Sequence, residues 1–351
     1  MKQTIALALV LVILLGALPP GIAANTPDLR EITDMAGRTM MVPVQIDSVF
    51  STEPVAAIYL YTTAPEKLLG WNYQLSDEEK QWILPPYGDL PNYGVKSTVN
   101  YEAVIMANPS IALSVGKINK AMIDEADHLA DTLGIPVVCM DEDLNAIADS
   151  YRFLGMLLGE ETRAEQLASY AEQTLDELAA IDVPHDQRVR LYYGNGEDSL
   201  ETAPAGSSHS QFIEMVGAVN AAELELGDGH RMQISPEQLL AWNPEVVLLS
   251  GEVKTGLSST AAAELLKNNP VFSLLTAVEE DKVLAAPGVP FGWLDRPPGP
   301  NRLIGLRWLA GWIYPDFFER DVDETVAEFF RLFYHMELTA EQLASLLGNR
   351  E

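Results

Sequence analysis

One helix-turn-strand pattern occurs twice in this chain, at residues 100–116 and 235–251, and this duplication constrains the fold more than any other feature. In both copies a helix-capping residue is followed two positions later by a glutamate, Glu102 or Glu237. An Asn-Pro pair, a short apolar run and a glycine then follow at identical offsets. Such a shared register indicates an internal duplication. The sequence therefore predicts two similar lobes.

Local signals predict the shape of each copy. Asn100 and Ser235 are good N-caps, and Pro236 suits the first helical position. The Asn-Pro pair ends the helix, and the apolar run after it is typical of a buried parallel strand. This arrangement places Glu102 and Glu237 near an exposed edge of their lobes. A first-turn carboxylate also stabilises the helix dipole, but its presence in both copies favours a shared docking role.

The chain of 351 residues, 48% of them hydrophobic, is long enough to bury two cores. Residue 2 is a lysine, an apolar stretch follows, and small residues stand at 23 and 24, as in an export signal. We therefore expect four segments: a signal peptide or N-terminal anchor at 1–24, an N-terminal lobe at 25–143, a connecting helix at 144–181 and a C-terminal lobe at 182–351.

Charge and cysteine content indicate the compartment and exclude some partners. Without Lys2 the mature chain has 21 basic and 51 acidic residues, a net charge of −30. Nucleic acid and anionic lipid bind through basic surfaces, so neither is expected as a partner. Cys139, the sole cysteine, lies in an apolar run and cannot form an internal disulfide or carry an N-terminal lipid. We expect an extracytoplasmic monomer, either periplasmic or tethered by its N-terminal helix.

The segment 144–181 predicts the connection between the lobes. Its apolar residues recur at helical spacing, and glycines 155 and 159 are the breaks in the pattern. As one helix it would extend roughly 55 Å at about 1.5 Å per residue. A stiff helical spine predicts limited closure of the lobes. Elsewhere strands alternate with helices, which predicts an α/β fold with mainly parallel sheets.

The polar loop that follows the strand at 188–193 is the first candidate ligand site, because open α/β folds bind ligands at such positions. It contains Tyr193, Ser208 and His209. Backbone amides near Ser208 can receive an anion, and His209 can instead coordinate a metal. The alternative is a cap that forms only local hydrogen bonds.

The proline-rich segment at 291–298 is the second candidate. Trp293, Asp295 and Arg296 can preorganise a contact in which the guanidinium binds carboxylate, catecholate or oxyanion oxygens. Alternatively the charged residues pair with neighbours and the tryptophan fills a gap. Further candidates lie in loops, and their basic members would favour an anionic ligand if they face one cleft: Tyr93, Lys96, Lys117 and Arg231. The first three are also compatible with an ordinary surface.

The chain resembles the extracytoplasmic substrate-binding proteins of ABC importers for ferric siderophores, haem, cobalamin and related chelates, a TroA-like family. The resemblance is carried by residues 32–43, 102–109, 134–138, 154–164, 235–240 and 292–308. It implies the class III binding-protein fold, with two α/β lobes joined by one long rigid helix and the ligand between them. It also implies that Glu102 and Glu237 dock onto arginines of a permease dimer that works with a cytoplasmic ATPase.

The resemblance leaves the ligand open. An iron or cobalt chelate, such as a ferric siderophore, haem or corrinoid, is the first expectation. The tail at 292–308 is closest to a branch whose ligands include molybdate-like oxyanions, which is the alternative. No resident cofactor or catalytic residue is expected.

Two other classes of protein provide alternatives. A secreted metal-dependent enzyme is disfavoured because the chain has no His-Glu-x-x-His or Gly-x-Ser-x-Gly motif and its five histidines lack metal-ligand spacing. A binding module that serves a sensor would have the same cleft but would not need Glu102 and Glu237.

Overall fold

The computed structural model describes residues 28–225, 231–252, 255–318 and 320–347, so the expected signal or anchor at 1–24 lies outside the described residues. The chain forms two α/β lobes with separate parallel sheets. The predicted fold class is confirmed. Within the described ranges no helix has the length and apolar character needed to cross a membrane.

The first lobe is built on a three-stranded parallel sheet, and a hairpin precedes it. The hairpin pairs β1 (Leu29–Thr33) with β2 (Thr39–Pro43). The sheet has the order β3-β4-β5. The strands and helices of this lobe are, in chain order, β3 (Val49–Ser51), α1 (Pro54–Thr63), α2 (Asp77–Lys80), α3 (Tyr101–Ala107), β4 (Ile111–Gly116), α4 (Lys120–Leu133) and β5 (Val137–Asp141).

The second lobe contains a four-stranded parallel sheet in the order β11-β10-β6-β8 and a small antiparallel pair, β7 with β9. The strands and helices of this lobe are, in chain order, β6 (Arg190–Gly194), β7 (Glu201–Thr202), α7 (Gln211–Met215), β8 (Val219–Asn220), β9 (Met232–Gln233), α8 (Pro236–Trp242), β10 (Val246–Leu249), α9 (Ser259–Lys267), α10 (Thr276–Glu279) and β11 (Val283–Ala285). The chain ends with α11 (Arg302–Ile313), α12 (Val322–Phe333) and α13 (Ala340–Leu347).

The connection between the lobes differs from the single helix expected at 144–181. It consists of α5 (Ile147–Leu158) and α6 (Glu161–Ala179), which meet at Gly159. Gly159 adopts a left-handed conformation with φ 75°, which ends α5 and turns the chain back. A Cβ on Gly155 would lie 2.3 Å from the Cβ of Ala164, so the two helices pack closely beside this turn. The expected continuous helix is therefore wrong.

α6 nevertheless links both lobes. Arg163 donates hydrogen bonds to the carbonyls of Thr62 in α1 and Leu332 in α12. At the other end of α6, Glu177 pairs with Arg307 of α11 at 3.0 Å. These contacts hold the helix against elements that precede and follow it in the chain. The limited closure expected from a stiff connection stays a prediction.

The C-terminal segment packs against the first lobe as well as the second. Phe291 contacts Trp71 with ring centroids 5.6 Å apart, and Tyr334 contacts Tyr61 at 5.9 Å. One hydrophobic cluster includes strand residues of both sheets, such as Leu113 of β4 and Leu248 of β10. The expected C-terminal lobe at 182–351 is therefore a continuous part of the chain, but its side chains also pack against the first lobe.

Candidate functional site

Both copies of the duplicated unit fold as the sequence predicts. α3 and α8 each have seven residues, and their N-caps Asn100 and Ser235 accept hydrogen bonds from backbone amides. Glu102 and Glu237 lie in the first turns and are exposed. Hydrogen bonding from its own backbone amide lowers the pKa of Glu237, which keeps this carboxylate charged. Exposure and charge are both required of a docking residue.

The carboxyl ends of the second-lobe strands bring polar side chains together, because parallel strands end at the same edge of a sheet. Asn195 follows β6, while Ser250 and Glu252 follow β10. The Ser250 hydroxyl donates to Asn195 Oδ1 at 2.5 Å. Glu252 accepts from Arg296 Nη1 at 3.3 Å, which brings the 291–298 segment to this edge.

A buried carboxylate organises the predicted loops. Asp295 has no exposed side-chain surface, and its two oxygens contact His209 Nδ1 and Arg231 Nη2, the latter at 2.7 Å. A carboxylate removed from water requires such partners. The structure thus joins three of the predicted residues, from three separate segments, in one cluster. We call these three residues the Asp295 cluster.

Three nitrogen donors around this edge have no hydrogen-bond acceptor within the described part of the chain. They are Nε of Arg231, Nε of Arg296 and Nδ2 of Asn195, all buried. An unsatisfied buried donor costs about 1–3 kcal/mol. Native structures satisfy nearly all such groups, so three at one sheet edge make this edge a candidate site for a ligand with oxygen acceptors.

The first lobe presents acids at the corresponding edge. Glu53 follows β3 and Glu142 follows β5. Loss of hydration raises the pKa of Glu53 to about 8, and burial also raises the pKa of Glu142. The guanidinium of Arg302, in the first turn of α11, donates to the backbone carbonyl of Glu142. Arg302 is buried and bridges the two lobes here.

Two predicted contact residues lie in the core. Trp293 has no exposed surface, and its indole N–H donates to the Val289 carbonyl at 3.0 Å. Tyr93 is buried against Phe50 with ring centroids 6.1 Å apart. Both side chains fill space in the interior, which corrects their assignment as ligand contacts.

The remaining predicted residues have mixed placements. Tyr193 is also buried, which corrects its assignment as a ligand contact, and its hydroxyl interacts with Ser250 at the strand edge. Ser208 is half-buried beside His209, whereas Lys96 and Lys117 are exposed. Lys117 directly follows β4 at the carboxyl edge of the first-lobe sheet. Of these residues, Tyr193 and Ser208 adjoin the second-lobe edge.

The proposed metal-ligand role of His209 has no further support from the geometry. Its Nδ1 contacts Asp295. In the ranges that the structure describes, no group of three or more His, Cys, Asp or Glu side chains is placed to hold a metal ion. A groove of about 770 Å³ between α6 and α12 contains none of the strand-edge residues.

Sequence and structure comparisons define the class of protein. The sequence model described as periplasmic binding protein matches residues 64–290, so the chain belongs to that family of solute-binding proteins. The recognition made from the sequence is thereby confirmed.

Individual relatives agree with this assignment. The chain is 24% identical to the molybdate-binding protein MolA of Haemophilus influenzae over 90% of this chain and 93% of MolA. The structure of MolA bound to molybdate has a TM-score of 0.68, with 22% identity, 88% of this chain covered and 99% of the other. An ABC transporter solute-binding protein from Sulfurospirillum deleyianum has a TM-score of 0.80, with 24% identity and coverage of 91% and 99%. FeuA from Bacillus subtilis, complexed with ferri-bacillibactin, has a TM-score of 0.60, with 16% identity and coverage of 82% and 98%.

Proposed function

We propose that this protein captures a small oxyanion of the molybdate type between its lobes and delivers it to the permease of an ABC importer. The observation that carries the choice of ligand is the set of three buried N–H donors at the second-lobe edge, on Arg231, Arg296 and Asn195. Arginine and amide donors are well suited to oxyanion oxygens. One tetrahedral anion has enough oxygens to accept from all three.

The burial of the predicted aromatic residues favours an oxyanion over a metal chelate. A haem, corrinoid or catecholate ligand would stack on exposed rings, but Tyr93, Tyr193 and Trp293 are buried. The pairing of Asp295 with Arg231 and of Glu252 with Arg296 also leaves this edge without a large positive charge. Donors whose charge is balanced by a paired carboxylate bind an anion by directed hydrogen bonds.

A metal chelate, the first expectation from the resemblance, becomes the second candidate, supported by FeuA, which has this fold and is complexed with ferri-bacillibactin. The same donors would then bind catecholate or carboxylate oxygens.

For delivery, we propose that Glu102 and Glu237 dock onto cations of the permease. Both are exposed on equivalent helices of the two lobes, which supports a two-point contact.

Calorimetric titration of the purified protein tests the ligand. Molybdate, tungstate, sulfate and phosphate are compared with a ferric tris-catecholate, haemin and cobalamin. We expect molybdate or tungstate to bind and Arg231→Gln to weaken that binding at least roughly tenfold, because it removes a charged donor. Arg190→Gln is the matched control, since Arg190 pairs with Glu223 at 3.0 Å on an exposed surface.

Binding of a chelate without binding of any oxyanion would select the second candidate. Elemental analysis of protein purified from its own host gives an independent answer, because molybdenum, iron and cobalt identify different ligands.

A further inference from the structure

The side chain of Arg231 is fixed by a carboxylate from a distant segment. Arg231 immediately precedes β9, which pairs with β7, so its backbone adjoins one short antiparallel ladder. Its Nη2 donates to Asp295 Oδ2 at 2.7 Å, across 64 positions of the chain. Its Nε is buried and has no acceptor in the ranges that the structure describes. One nitrogen of the guanidinium is therefore engaged, while a second donor on the same group is available for a ligand.

The hydrogen bond at Nη2 also sets the direction of the Nε–H. A guanidinium is planar and rigid, so a bond at one nitrogen restricts where the other nitrogens point. An arginine that rotates freely loses side-chain entropy when it binds a ligand, and this loss weakens the binding. An arginine that is already held by a carboxylate has lost that freedom before the ligand arrives.

Asp295 is itself held on both sides. Its side chain has no exposed surface, and its second oxygen contacts His209 Nδ1. Two residues earlier Trp293 is fully buried, and the next residue, Arg296, pairs with Glu252 at 3.3 Å. A carboxylate that is removed from water depends on such partners, so this one is a fixed reference point for Arg231.

Asp295 is not suited to bind an oxyanion directly. A carboxylate paired with an arginine accepts hydrogen bonds, and the oxygens of an oxyanion accept them as well. The two negative charges also repel each other. Its place beside an anion-binding donor is therefore explained by its effect on that donor.

We propose that Asp295 is a positioning residue, which holds the guanidinium of Arg231 so that its Nε–H faces the oxyanion, and that His209 holds Asp295 in turn. The proposal deepens the proposed function and rests on it. Three segments that are far apart in the sequence then set the direction of one donor: the loop before α7, the segment 291–298 and the residue before β9. The affinity for the ligand depends on a carboxylate that does not touch the ligand.

Calorimetric titration with molybdate of the variant Asp295→Ala tests this role. We expect the affinity to decrease about tenfold, because Arg231 loses the acceptor that orients it and is ordered only when the ligand binds. Asp295→Asn retains an acceptor oxygen at the same place, so the affinity should decrease only about threefold. This partial rescue distinguishes the loss of an acceptor from the loss of a side chain.

The same change in variants that lack one arginine separates positioning from a general loosening of the segment. In the Arg231→Gln variant, Asp295→Ala should lower the affinity less than about threefold, because the residue that it positions is gone. In the Arg296→Gln variant the full loss of about tenfold should remain, because Arg296 pairs with Glu252 and not with Asp295.

Glu177→Ala is the matched control. Glu177 on α6 is also a carboxylate that pairs with two basic side chains, Arg307 and Arg320. Urea unfolding should show that Glu177→Ala and Asp295→Ala both destabilise the protein. Only Asp295→Ala should change the affinity for molybdate.

An unchanged affinity in Asp295→Ala would overturn the positioning role and leave the proposed function intact. So would a loss of the same size with and without Arg231. If Asp295→Ala does not fold, the same comparison with Asp295→Asn decides, since its threefold loss is expected only where Arg231 is present. If molybdate does not bind to the unmodified protein, the proposed function fails and the positioning role fails with it.

Discussion

The two copies of the duplicated unit have the same backbone and different outer surfaces. In both, a seven-residue helix ends at an asparagine in the left-handed region, Asn108 with φ 51° and Asn243 with φ 39°. Met106 of α3 is 86% exposed and Ile105 is 50% exposed. The equivalent residues of α8 are Ala241, which is small, and Leu240, which is partly buried.

The difference arises from packing. Leu240 and Trp242 pack on the second-lobe core, where Trp242 contacts the Tyr192 ring at 6.3 Å. Each helix has one fully buried residue, Val104 or Leu239, but in α3 the side chains of Ile105 and Met106 remain exposed near Glu102. Duplication thus preserved the element and its glutamate, while the lobes acquired distinct surfaces. If both glutamates dock onto a permease, the two contacts are chemically unequal.

The largest expected effect tests what the two copies share. The double change Glu102→Ala and Glu237→Ala should weaken association with the permease roughly 100-fold, because each removes one partner of an interfacial charge pair. Ligand affinity should stay the same. Association is measured with the permease complex in detergent or nanodiscs, and the two single variants show whether the lobes contribute equally. Normal association of the double variant would favour a binding module that serves a sensor.

The second-largest effect concerns stability and the asparagines that end α3 and α8. Asn243 accepts from the Thr276 amide and donates to the Thr276 hydroxyl, both at 2.9 Å. Asn243→Ala loses these bonds and strains a left-handed position, so it should reduce the free energy of unfolding by about 2 kcal/mol. Asn108→Ala should reduce the free energy of unfolding by about 1 kcal/mol, because here the only cost is the strain of alanine in a left-handed conformation. Equal losses in urea unfolding would contradict this difference.

Met106→Ala gives the first copy the residue that stands at the equivalent position of the second. If Met106 is buried against the permease, its loss should weaken association about tenfold, in line with the apolar area removed. The reverse change, Ala241→Met, should have little effect unless the second contact is equally apolar. Ligand titration of both variants serves as the control for folding.

The smallest effect concerns the caps. Asn100→Ala and Ser235→Ala should each lower the free energy of unfolding by about 1 kcal/mol, because each leaves one backbone amide without its acceptor. The two losses should be similar, since each cap accepts one hydrogen bond from the amide three residues further on. A loss confined to one copy would show that the other helix is held by packing alone.

Most elements of the fold follow from local signals in the sequence. The capped helices, their asparagine ends and the strands after them occur where the duplicated pattern predicts them. The division between α5 and α6 was missed, because a glycine inside a helical pattern is compatible with continuation. The turn is accompanied by a close contact between Gly155 of α5 and Ala164 of α6. This contact joins two different helices, so the spacing of residues within one helix does not predict it.

The site was predicted in part. His209, Arg231 and Asp295 were candidates, but nothing local in the sequence shows that one carboxylate binds the other two. Asn195, Glu53 and Glu142 were missed, although each stands directly after a strand or one residue beyond it. Attention to the first polar residues after every strand would have found them.

The sequence by itself determined the two lobes, the caps and the exposed glutamates, because hydrogen bonds and apolar spacing within a few residues specify them. Only the tertiary structure decided which side chains meet. Burial of Asp295 with its partners, the raised pKa of Glu53 and the interior positions of Tyr93 and Trp293 depend on water being excluded by segments far apart in the chain. Whether a side chain is hydrated depends on the packing of the whole molecule. The chemistry of the cleft therefore depends on the assembled lobes.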